Sequence, residues 1–181
     1  MKKKVLALIE ELNPNNPNLT DDPDIEAKYI SVTNMVMFEM ARIKKIARYV
    51  EMPAMEKQLV TLKDIGNAVG HEVYQIEAIR GVRNEPKANG TVYKMLESGT
   101  AEIECFVYPE RITEQNAKSY EFELSADVLE IMPYAIAADL LKSDKSAKYG
   151  SVYAAEFERK LNRLDPRNQL GMFVIEGGVA L

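Results

Sequence analysis

The side chains able to do chemistry are few and far apart. His71 is the one histidine and Cys105 the one cysteine in 181 residues. Metal centres and hydrolytic triads need His, Cys and carboxylates at ligand or triad spacing. His71 follows Gly70 at the start of a strand pattern, without a second histidine or a cysteine pair, so the reading is a surface or capping role. A single cysteine excludes an intramolecular disulfide and a multi-thiolate metal site, and Cys105 reads as a small buried hydrophobe. Glu102 and Glu104 form a nominal carboxylate pair for acid–base work. They alternate with Ala101, Ile103, Cys105 and Val107, which places them on the solvent face of a half-buried strand. The glycines make neither a GxxxxGK[ST] nor a GxGxxG phosphate cradle. The expectation is no catalytic residue, no cofactor, no metal and no enzyme.

The charge balance, 28 acidic against 23 basic residues for a net −5, disfavours a protein that grips nucleic-acid phosphates. It is compatible with DNA passing nearby without specific binding, because an acidic wall repels phosphates. The longest apolar runs fall far below the roughly 20 residues of a membrane helix, so no membrane partner is expected. The basic start Met1–Lys4 leads into a short mixed segment rather than a signal peptide, which predicts a cytoplasmic chain.

The elements that must position these residues follow from periodicity. A short helix is read at the start, with Val5, Leu6 and Ile9 on one side, before a proline-rich loop. Asp22 as N-cap and Pro23 at the first helical position open a long first helix over 22–50, with Ile25, Tyr29, Val32, Val36, Met40, Ile43, Ala47 and Val50 as its stripe. Met35, Met37 and Phe38, a second apolar set, make its middle apolar on more than one face, to be covered by the core or by another subunit. The basic run Arg42, Lys44, Lys45 and Arg48 suits the helix dipole and a solvated face, with a phosphate site as the alternative.

From Pro53 the pattern turns to period two, at 58–62, 71–79, 91–96 and 100–107, with turns at 89–90 and 97–99; the latter reads as a hairpin joining the last two strands. This gives a small antiparallel β insertion over 53–123. Two more helices follow, over 125–142 and 146–164; Pro133 inside the first predicts a kink or a restart there. The fold class is α+β: a helical core of the long first helix and two C-terminal helices, with the β element inserted. One domain over 1–164 is followed by a C-terminal arm, 165–181. Its run QLGMFVIEGGVAL is too apolar for a solvated terminus and reads as a segment that binds a neighbour or folds back.

Several residues of the C-terminal half carry a likeness. A strand ends in Tyr108 and Pro109, and Tyr120, Phe122 and Leu124 lead into a helix. Pro133 and Tyr134 are followed by Ala137, Ala138 and Asp139; Tyr149, Gly150 and Tyr153 mark the last helix. Together they resemble the head-to-tail connector proteins of tailed bacteriophages and prophages, the adaptor or head-completion ring beneath the portal. The likeness covers the last third closely and the long helix by position; the β insertion is more extensive than in the plainest members. The resemblance implies a structural virion protein of the neck, assembled in the host cytoplasm. About twelve copies would form a ring that joins the portal to the next neck or tail protein and extends the DNA channel. It implies portal binding by Met172, Phe173, Val174 and Ile175, and it gives Met35, Met37 and Phe38 a role in subunit packing. The alternatives are a tail-completion or tail-terminator component and a cellular α+β protein-binding module.

Overall fold

A computed structural model describes residues 1–10, 20–142 and 147–164. Its elements in chain order are α1 (Lys2–Leu8), α2 (Pro23–Lys44), β1 (Ile46–Ala54), β2 (Leu59–Thr61), α3 (Leu62–Val69), β3 (Val73–Arg80), β4 (Asn84–Lys87), β5 (Val92–Met95), β6 (Gly99–Val107), α4 (Ala126–Leu140) and α5 (Ala147–Leu164). The α+β class holds: helices combine with two small antiparallel sheets. The chain forms two compact units, a helical one (1–29 and 126–181) and a mixed one (30–125).

In the helical unit, α4 packs against α1 and α5. Val128, Ile131, Met132, Pro133, Ala135, Ile136, Ala137 and Leu140 of α4 are buried, a set too wide for one stripe, which makes α4 the unit's central helix. It runs unbroken through Pro133. The ring removes the hydrogen bond to the Leu129 carbonyl, yet Pro133 is itself buried and its packing holds the helix together, so there is no restart. Val5 and Leu6 of α1 are also buried.

The mixed unit holds two three-stranded sheets, ordered β1-β6-β3 and β2-β5-β4. β1 pairs with β6 in unbroken register from Ile46↔Val107 to Ala54↔Gly99. Val60, Ile65, Val73, Ile76, Met95, Ile103 and Val107 join into one core. The long helix expected over 22–50 is not seen. Asp22 does cap α2, accepting the backbone N–H of Asp24 at 2.8 Å and of Ile25 at 3.3 Å. The helix stops at Lys44, however, and Lys45 takes a left-handed φ of 40°. The apolar residues Ile46 and Val50 satisfy period two as well as period 3.6, and nine residues of ladder with β6 outweigh continuing the helix.

Two further expectations change. The segment 58–62 is a strand only over Leu59–Thr61. Thr61 then caps α3: its hydroxyl accepts the Asp64 N–H at 3.2 Å while the Asp64 carboxylate accepts the Thr61 N–H at 2.9 Å. β5 and β6 also lie in different sheets, so 97–99 is a crossing between sheets and not a hairpin turn. The paired hairpin is β4–β5, turned at Ala88–Gly90 with Asn89 left-handed at φ 57°.

Within the mixed unit the irregular stretch after β6 is tied back by side chains. Asn34 on α2 donates from Nδ2 to the Ile112 carbonyl and accepts the Ile112 N–H at Oδ1, both at 2.8 Å, as a strand partner would. Replacing Asn34 by alanine leaves both backbone groups of buried Ile112 unmatched. The expected cost is about 1–3 kcal/mol, read from the urea midpoint.

Candidate interaction surface

α5 is an amphipathic helix whose apolar stripe is only partly covered. Tyr153, Phe157, Leu161 and Leu164 are half-buried, while Tyr149 and Val152 are 65% and 61% exposed. Contact with α4 is close at Gly150, where a Cβ would sit 3.1 Å from the Ala138 carbonyl oxygen. The Tyr153 hydroxyl donates to the Leu8 carbonyl and ties α5 to the end of α1. Beside this contact α4 and α5 leave an open, mainly apolar groove of about 670 Å³ lined by Tyr134, Val152, Tyr153 and Ala155, with Glu156 and Arg159 at its polar edge.

That edge is preorganised. Glu156 accepts from Arg159 at 2.8 and 2.5 Å and has Lys160 at 3.8 Å. The Arg159 hydrogen bond holds the Glu156 carboxyl below its ordinary pKa. The Lys160 ammonium lies 4.9 Å from the Tyr134 ring centre. The arrangement can bind an apolar segment with an acidic neighbour.

The residues singled out in the sequence scatter. Met35 is exposed, and Met37 is fully buried among the chain's own side chains. Phe38 is half-buried, stacked 4.8 Å from Tyr108 and covered by Arg111 at 4.7 Å. Met172, Phe173, Val174 and Ile175 lie outside the described residues. Cys105 is buried, and burial raises its thiol pKa. Glu102 is exposed, whereas Glu104 accepts the Tyr49 hydroxyl at 2.9 Å and an Arg80 N–H at 3.4 Å. His71 caps α3 through its backbone N–H to Gly66, at 3.2 Å, and its ring lies 4.0 Å from a Glu123 oxygen. A second depression, of about 640 Å³, lies beside it and includes Leu62, Lys63 and Asn67 in its lining. Among the described residues no three His, Cys, Asp or Glu side chains come together as a metal site, and no helix is long and apolar enough to cross a membrane.

The basic run is held by neighbours. Arg42 donates to the Tyr108 hydroxyl at 2.5 Å, Lys45 lies 4.5 Å from the Phe106 ring centre, and Arg48 pairs with Glu123 at 2.5 Å. These cations fasten the end of α2 and the start of β1 to the aromatic side of the sheet, a structural use of the charges.

Tyr120, read in the sequence as part of the lead-in to a helix, has a further role in the fold. Its hydroxyl donates to the Glu110 carbonyl at 2.5 Å and lies 3.3 Å from the Met37 sulfur. Burial first, then the Glu123 and Glu110 charges, push its pKa from 10.0 up to about 12. The folded state therefore favours the neutral phenol. Its stabilising contribution is full below the unfolded value and is lost as pH rises from 10.0 through about 12. Urea midpoints taken across that window should fall more steeply for the natural chain than for Tyr120→Phe.

Compared with known proteins, the chain matches no protein-family model and no curated protein.

Proposed function

We propose that this chain is a structural adaptor of a tailed-phage neck, a head-to-tail connector that stacks on the portal and extends the DNA channel. In this reading the helices form the subunit's core, and the β element over 53–123 is the insertion that meets neighbours or the next neck or tail protein. The observation that carries it is the packed α4–α5 pair. It coincides with the stretch that resembles connector proteins, and among the described residues it presents an open apolar groove that Val152 lines, with Tyr149 exposed on the same helix. Exposed apolar surface of this kind marks interaction sites. The net charge of −5 suits a conduit that DNA traverses without adhering.

The action is binding rather than chemistry. About twelve copies close a ring by repeated heterologous contacts, in the virion neck after assembly in the host cytoplasm. Met172, Phe173, Val174 and Ile175 anchor the chain to the portal, and Met35 and Phe38 are candidates for lateral contact. Co-sedimentation with the portal ring encoded in the same gene cluster tests this: the chain should pellet with the ring, and a chain that stays in the supernatant while folded contradicts it.

A further inference from the structure

The α4–α5 groove presents an open apolar lining among the described residues, and the chain carries a segment of matching chemistry immediately after α5. We propose that the groove docks the chain's own segment 168–181, so that the adaptor stores its portal-binding tail on its own helical unit until the portal takes it. The use of the tail by the portal rests on the adaptor reading; the docking does not.

Three observations converge. The first is composition: Leu170, Met172, Phe173, Val174 and Ile175 are a compact apolar set, and the groove presents Tyr134, Val152, Tyr153 and Ala155. Burying one large side chain of this kind is worth about 1.5–3 kcal/mol. The second is reach. The groove residues of α5 lie 5 to 13 positions before Leu164, a helical distance of about 8–20 Å. The eight residues 165–172 extend to about 26 Å, enough to turn back and place Phe173 over Val152 in the same molecule. The third is charge. Glu176 is the one charged residue in 168–181, and Arg159 and Lys160 stand at the polar side of the groove, outnumbering Glu156. An intramolecular segment also docks at a high effective concentration, so even a modest contact is populated.

The test is disulfide trapping in the full chain. Val152→Cys with Phe173→Cys, and Ala155→Cys with Phe173→Cys as a second pair, are oxidised in dilute solution; buried Cys105 stays out of reach. Glu158→Cys with Phe173→Cys is the control, because Glu158 is exposed, nearer to Leu164 and outside the groove lining. The expected result is an intramolecular disulfide in at least one groove pair, forming about tenfold or more faster than in the control. Equal rates in all three, or disulfides only between molecules, overturn the proposal. Repeating the trapping with the portal ring present separates the two readings: suppression supports both, whereas an unchanged intramolecular disulfide supports docking and speaks against the adaptor.

Discussion

Gly81→Ala should destabilise the mixed unit by roughly 3 kcal/mol or more. Gly81 turns the chain from β3 towards β4 with a φ of 81°, a region that side chains avoid, and a Cβ there would stand 2.4 Å from the Thr100 carbonyl oxygen. That neighbour is backbone, laddered to β1 opposite Pro53, so it does not yield as the far end of a flexible side chain would. Gly70 provides the comparison. It has a similar φ of 73° but nothing within 4 Å of the added carbon, so Gly70→Ala carries only the backbone strain, about 1–2 kcal/mol. Urea unfolding of the two variants should rank them in that order, and equal midpoints would contradict the close approach at Gly81.

Phe173→Asp combined with Ile175→Asp should weaken portal binding about a hundredfold or more. If these side chains are apolar anchors, each substitution removes a contact of hot-spot size and puts a charge in a dry site. Two such losses exceed the 2.8 kcal/mol or so that a hundredfold change represents. The thermal midpoint of the variant, measured alongside, separates a binding defect from misfolding. Titration of the variant against immobilised portal ring measures the effect. Unchanged affinity would remove the tail from the portal contact.

Much of the helical unit was legible because its signals are local. The stripe of α5 and the apolar run of α4 fall within one or two residues of the helices observed, Ala126–Leu140 and Ala147–Leu164. The mixed unit was less legible because pairing across the chain decides it. Residues 46–50 carry an apolar pattern that serves helix and strand alike, and only β6, more than fifty positions later, selects the strand. The start of α3 did carry a local signal, Thr61 three residues before Asp64, which the β pattern on either side overshadowed. The link from Asn34 to Ile112 leaves no periodic trace, since one side-chain amide replaces a strand. For the candidate site, the half-covered face of α5 is foreshadowed by Tyr149 and Val152 within its stripe. That both stay exposed depends on how α4 packs, which no spacing reveals.

Native mass spectrometry of the purified chain mixed with the portal ring from its own gene cluster tests the central claim most directly. The adaptor reading predicts a discrete complex with one copy of the chain per portal subunit, as cyclic assembly requires. Intact, folded chain and portal that remain separate over the concentrations at which each is assembled would contradict it.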